Sequence, residues 1–157
     1  MIIGSISENK SIENRIAITP DVIKKYKSLG LEIYLSKGYG EHLGINDRNY
    51  ESEGAVILNT NEEVIKNSNA VVQMNIPSDE NLNALKNDQI LIGVLNPYNN
   101  EKKIKEIISK NVNCFSLELL PRITRAQSMD ILSSQANLAG YKAVVDSFSY
   151  FQKAIPM

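Results

Sequence analysis

Six short runs of this 157-residue chain are rich in apolar residues without a strict apolar–polar alternation: 2–6, 31–35, 55–58, 70–74, 90–95 and 112–117. A strand that alternates apolar and polar residues can leave one face in water, but a strand without alternation must be covered on both faces. Helical patterns fall between the runs. Thr19-Pro20-Asp21 offers an N-cap, a proline at the first helical position and an acid in the first turn. Val22, Ile23, Tyr26 and Leu29 then recur at helical spacing, and Gly30 is suited to stop the helix. Further helices are expected near 61–67, 79–85 and 100–110. Strand followed by helix, repeated along the chain, selects a parallel sheet with right-handed crossovers. The expected class is α/β: an open, mostly parallel sheet with helices on both faces, flavodoxin-like or Rossmann-like. Such sheets bind ligands at the carboxyl ends of their strands, so the loops after Ile6, Met74, Leu95 and Leu117 should carry the chemistry.

Composition closes off several functions. One cysteine, Cys114, cannot form an internal disulfide or a cysteine zinc site, and one histidine, His42, cannot build a histidine metal site. Lys and Arg number 17 against 18 Asp and Glu, so no excess of positive charge exists to neutralise the phosphates of a nucleic acid. The N-terminus lacks a basic segment followed by an apolar stretch, and no apolar run is long enough to span a bilayer. A cytoplasmic globular domain is expected.

The last third changes character. Residues 118–125 show neither strand nor helix periodicity, and 130–152 reads as one long helix. Ile131, Leu132, Leu138, Ala139, Val144, Val145 and Phe148 would give it an apolar face. Ser133, Ser134, Gln135 and Asn137 sit beside small Ala136, Ala139 and Gly140, a grouping that fits close packing with hydrogen bonds to satisfy.

Among candidate sites, the turn Gly38-Tyr39-Gly40-Glu41-His42-Leu43-Gly44 is similar to a dinucleotide fingerprint, with one residue too many before the third glycine. The residues after it, 45–49, offer no helical apolar face, so a tight surface turn is expected. His42 should be solvated, Cys114 a small hydrophobe, and Lys102, Lys103 and Lys105 part of a solvated helix face. A receiver-type phosphoacceptor is excluded, because Ser7, Gln73 and Asn96 stand where acids and a lysine are needed. Arg15 lies on the ligand side, either to hold a carboxylate or phosphate or to pair with Glu13. The richest segment runs from Arg122 through Arg125, Gln127 and Asp130 to Ser133. A nicotinamide carboxamide offers one acceptor oxygen and two N–H donors, which an Arg and an Asp–Ser pair could match. Asp130 as a simple N-cap and Arg125 as a surface charge are equally consistent with the spacing.

Three blocks carry a resemblance: Glu13 to Pro20, Lys37 to Gly40, and above all Pro121 to Tyr141. Together they resemble the alanine dehydrogenase/nicotinamide nucleotide transhydrogenase family, and the likeness extends over the whole chain. Within it the pattern is similar to the NAD(H)-binding domain at the start of a transhydrogenase α subunit. The resemblance implies hydride transfer between NADH and NADP⁺ coupled to proton translocation. It implies that Arg122, Asp130 and Ser133 hold the nicotinamide of NAD(H), and that Gln127 reaches towards the second nucleotide. Arg122, Gln127 and Asp130 would then form the catalytic set. NADP(H) would be bound by a partner domain, with a membrane-spanning domain as further partner. A homodimer is expected when the enzyme is complete, held peripherally at the inner membrane through its partners. The alanine dehydrogenase branch instead requires a Lys and a His, and Gln73 and Asn96 stand at the matching positions; amides do not titrate near neutral pH. The implied organisation is a sheet core over about 1–117, a nicotinamide-contacting loop over 118–130, and a helix over 130–152. That helix would lead to a glycine-fingerprint Rossmann unit that this sequence lacks, so a truncated form, inactive alone, is expected. The alternatives are an alanine dehydrogenase-like amino-acid oxidoreductase and a domain without a ligand.

Overall fold

The computed structural model describes residues 1–153. The chain forms two compact units, Met1–Ser116 and Leu117–Met157. The first holds six strands: β1 (Ile2–Ser5), β2 (Glu32–Ser36), β3 (Val56–Leu58), β4 (Ala70–Asn75), β5 (Ile90–Val94) and β6 (Asn113–Ser116). Each expected run yields one of them. All adjacent pairs are parallel, in the order β3-β2-β1-β4-β5-β6. Of the two doubly wound orders expected, this is the Rossmann one, and its direction of winding reverses between β1 and β4.

Helices cover both faces of the central strands, whereas the edge strands β3 and β6 leave Val56 and Phe115 exposed. On one face α1 (Pro20–Ser28) and α2 (Asp47–Ser52) bring Ile23 and Tyr50 against Ile3, Ile33 and Leu35. On the other, α3 (Asn61–Asn67), α4 (Asp79–Asn83) and α5 (Glu101–Ser109) set Val64, Ile65, Leu82 and Ile107 on Ile6, Val71 and Leu91. Gly4 permits the close seating of α3 on β1. A Cβ there would stand 2.1 Å from Ser68 Oγ and 2.9 Å from Val64 Cγ1, so any larger residue would displace these side chains at the seat of α3.

The helix starts show which local signals worked. Thr19 occupies the N-cap position of α1 in extended conformation, but its side chain makes no capping bond, so Pro20 and Asp21 carry the start. Thr60 does cap α3, with Glu63 completing a capping box. α2 corrects the expectation that nothing helical follows the glycine turn: Asn46 and Asn49 form its capping box, and Tyr50 is its one buried residue. A helix of six residues needs no apolar stripe, which is why periodicity missed it.

In the second unit, 3-10 turns at Leu117–Leu119 and Thr124–Met129 precede α6 (Ile131–Tyr150). The long helix is present, but its expected apolar face is not buried: Leu138, Val144 and Phe148 are each more than half exposed. Among the described residues of this short unit, no second layer of structure stands against α6 to bury them.

Tyr50 meets Tyr39 edge to face, with ring centroids 5.8 Å apart. Its hydroxyl is buried with no hydrogen-bond partner among the described residues, and burial pushes its pKa up. Losing that hydroxyl removes an unpaired polar group and keeps the ring. Tyr50→Phe is therefore expected to leave stability unchanged or raise it by up to about 1 kcal/mol, measured by urea unfolding.

Candidate functional site

At the carboxyl ends of β1, β4 and β5 the first unit opens a cleft of about 1270 Å³, with Glu8, Glu13, Gln73, Asn75 and Asn96 on its walls. Gln73 is buried and turned inward. Its Oε1 accepts from Ile6 N at 2.9 Å, and its Nε2 donates to Ile6 O at 3.2 Å and to Glu8 Oε1 at 3.1 Å. The side-chain amide thus satisfies both backbone groups of Ile6. Glu8 Oε1 also accepts from Met74 N at 2.6 Å and Asn75 N at 3.4 Å. Burial pushes the Glu8 carboxyl up in pKa, against the pull of those two amides.

Arg15 takes the second of its two open readings, pairing with Glu13. Nε donates to Glu13 Oε1 at 2.8 Å and Nη2 to Oε2 at 2.7 Å, a bidentate fork. The Arg15 backbone N–H donates to the same Oε1 at 2.9 Å, and Asn75 Nδ2 donates to Oε2 at 3.1 Å. The Arg15 guanidinium, ahead of these other donors, holds the Glu13 carboxyl down at about 2. Asn96 stands in the left-handed region at φ 44°, which asparagine tolerates better than most residues. Its backbone oxygen accepts from Asn99 N at 3.1 Å and Asn100 N at 3.0 Å, closing the turn after β5. Gln73 and Asn96 therefore both serve the architecture of this edge.

The second unit gathers the 122–133 residues. Arg122, Gln127 and Asp130 line one small cavity of about 240 Å³, together with Pro121, Ile123, Thr124 and Ala126. Ala126 is buried and anchors the 3-10 turn, while Arg122 and Gln127 are exposed. Asp130 is indeed the N-cap of α6: Oδ1 accepts from Ser133 N at 3.0 Å, and Oδ2 accepts from Ser133 Oγ at 2.6 Å. Ser133, then the nearby Arg122 charge, hold its carboxyl below the usual range. The four residues thus come together, three on the cavity and Ser133 on Asp130. A guanidinium, a carboxylate and a neutral amide around one small space can satisfy a planar amide from donor and acceptor sides. Arg125 is exposed and does not line the cavity.

Sequence spacing missed the Glu8–Gln73 clamp, because its members stand 65 positions apart and only folding brings them together. The remaining candidates fall where packing puts them. His42 Nε2 is bonded to Asn14 O at 2.9 Å rather than only solvated. Cys114 is half-buried against the core, with its thiol pKa raised by burial. No cluster of potential metal ligands occurs among the described residues, and no helix among them is long and apolar enough to cross a membrane.

The Rossmann strand order, helices on both faces and a ligand-side cleft define a doubly wound α/β domain, followed by a loop–helix unit with a small polar site. The chain belongs to the alanine dehydrogenase/PNT family, whose N-terminal domain model matches residues 4–139. It is 36% identical over 162 residues to the first part of NAD(P) transhydrogenase subunit alpha of Rhodospirillum rubrum, covering all of this chain and 42% of that protein. The corresponding protein of Rickettsia prowazekii is 37% identical over 161 residues, with the same coverage of all of this chain and 42% of the relative. The crystal structure of transhydrogenase from Sinorhizobium meliloti superposes with a TM-score of 0.90 at 36% identity, over all of this chain and 47% of that one. The chain therefore spans less than half the length of these relatives.

The Glu13–Arg15 pair fixes an acid dependence. A carboxyl held down in the folded chain stabilises it above the ordinary value, and that stabilisation is lost as pH falls from 4.5 towards about 2. Glu8 works the other way, since a raised carboxyl favours the folded chain as it protonates. Because Arg15 is half exposed, the Glu13 contribution is discounted to about 1–2 kcal/mol. Glu13→Gln should flatten the loss of unfolding free energy over that acid range, and Glu8→Gln should steepen it, read from urea unfolding at stepped pH.

Proposed function

We propose that this chain supplies the nicotinamide-facing part of the NAD(H) site of a proton-translocating NAD(P)⁺ transhydrogenase. The observation that carries the reading is the meeting of Arg122, Gln127 and Asp130 on one cavity, with Ser133 bonded to Asp130. In that role Arg122 donates to the carboxamide oxygen of the nicotinamide, while Asp130 and Ser133 accept from its N–H groups. Gln127, exposed at the cavity, reaches towards the second nucleotide. When bound, NAD(H) and NADP(H) supply the hydride chemistry themselves. The chain's share is to orient one ring so that the reacting carbons approach to roughly 3–3.5 Å.

Direct transfer between two nicotinamides needs no titrating group, which agrees with Gln73 and Asn96 serving as structural amides. The similarity to transhydrogenase alpha subunits supports the same branch. NADP(H) would be held by a partner domain and the proton path by a membrane-spanning one. The chain itself would lie on the cytoplasmic side, peripheral to the inner membrane, in an assembly that is dimeric when complete. The unit beginning at Leu117 would carry the nicotinamide-contacting loop and, through α6, the approach to an NAD-binding Rossmann domain. Residues 1–157 alone should bind NADH weakly and transfer no hydride.

The test is a paired measurement on the assembled enzyme. Gln127→Ala should slow single-turnover hydride transfer far more than it weakens NADH binding, because its contact forms only when both nucleotides are apposed. Asp130→Asn should weaken NADH binding several-fold, because one of its two acceptors becomes a donor facing the carboxamide N–H groups. Equal losses of binding and rate in Gln127→Ala would make it an ordinary NADH contact. Robust alanine-dependent reduction of NAD⁺ would instead place the enzyme in the other branch of its family.

A further inference from the structure

Most backbone amides of the glycine turn at 38–44 donate within the protein. Gly38 N donates to both carboxylate oxygens of Asp47, at 2.9 and 3.2 Å. Tyr39 N donates to Ser36 O, Leu43 N to Gly40 O and Gly44 N to Glu41 O, all within 3.1 Å. A phosphate loop needs such amides turned outward. Gly38 and Gly44 hold left-handed φ values of 70° and 77°, which fix the turn's path. Two of its side chains reach across to another segment. The Tyr39 hydroxyl accepts from Ala17 N at 3.0 Å and from Ile18 N at 3.2 Å. Ser5 Oγ has one proton and gives it to Val72 O at 2.7 Å, so the Tyr39 hydroxyl donates its own proton to Ser5 Oγ at 2.8 Å. On the other side, His42 Nε2 donates to Asn14 O at 2.9 Å.

These bonds bracket Arg15. The carbonyl just before it and the amides two and three residues after it are all tied to this one turn. Its own amide and guanidinium are tied to Glu13. We propose that the 38–44 turn is the socket that positions the Arg15 arm at the ligand edge of the sheet, with Tyr39 and His42 as its positioning residues. Tyr39, 1% exposed, fixes the arm to β1 from inside, and His42 fixes it from the rim. The arm thereby presents a guanidinium in one orientation beside the cleft, without relying on a helix or strand to hold it. This inference stands apart from the transhydrogenase reading and concerns the first unit alone.

The test uses the full 157-residue chain. Amide exchange at Ala17 and Ile18 is followed by NMR, with Ile33, Leu35, Val71 and Leu91 as core references. Labelling by phenylglyoxal is quantified at Arg15 against Arg48, Arg122 and Arg125. Tyr39→Phe should speed exchange at Ala17 and Ile18 roughly tenfold, the worth of about one hydrogen bond, with the core references unchanged. His42→Ala should speed labelling at Arg15 several-fold while leaving the other three arginines as they were, and His42→Gln, which keeps an N–H donor, should restore the wild-type rate. Should Tyr39→Phe fail to fold, the His42 pair decides, since that side chain is partly exposed and buries no ring in the core. Unchanged Arg15 labelling in His42→Ala overturns the proposal. So does a uniform rise at every probe, which would mark a general loss of stability instead of a socket.

Discussion

Strands β1 and β4 form the seam where the two halves of the sheet meet, and their ladder is short: Ile3 lies opposite Ala70 and Gly4 opposite Val71. Beyond that register the backbones need another means of staying together, because the winding reverses here and a crevice opens. Gln73 supplies it. By accepting from Ile6 N and donating to Ile6 O, its amide extends the seam through a side chain. Ser5 Oγ adds a bond to Val72 O on the same line. A buried amide of this kind stabilises only when both ends are satisfied, and here the second donor proton of Gln73 meets Glu8.

From that seam the polar order of the ligand edge follows. Glu8, drawn in to complete the Gln73 amide, also takes the backbone amides at the end of β4. Asn75, next along, hands its Nδ2 to Glu13, which in turn holds Arg15. Two carboxylates five residues apart therefore end in opposite electrostatic states. Glu13 has a guanidinium and is held down at about 2, whereas Glu8 has only neutral donors and is pushed up by burial. The difference is one of partner, since both are drawn out of water.

The strands were legible because their apolar runs do not alternate, and in a chain of this composition such runs require cover on both faces. Thr60 and Glu63 were legible in principle as a capping box, and α2 was not, because Tyr50 is its one buried side chain. The gathering of Arg122, Gln127, Asp130 and Ser133 could be anticipated because those residues lie within twelve positions of one another, so local turns suffice to bring them together. Gln73 could be recognised as a non-titrating residue but not as a clamp, since its partners Ile6 and Glu8 are 67 and 65 residues away. The apolar residues of α6 misled for a related reason: periodicity reports what a helix could bury, and only tertiary structure decides whether anything meets it.

In the proposed site Asp130 would meet two demands that usually conflict. A residue that accepts from a ligand must hold still, and on an exposed loop an aspartate ordinarily loses entropy to do so. Capping α6 removes that conflict: the bonds from Ser133 N and Ser133 Oγ fix the carboxylate plane before any ligand arrives. Each oxygen has accepted one proton and keeps a further lone pair, so the cap does not exhaust the acceptor. Exposure sets the limit on what this arrangement supplies. Hydrogen bonds and charges open to water and salt contribute little net affinity, so in the proposed role Arg122, Gln127 and Asp130 would orient a nicotinamide bound chiefly by other contacts. Such a site, orienting more than it binds, would suit the proposed transfer, whose rate depends on the placement of two rings and in which no proton need be exchanged with the protein.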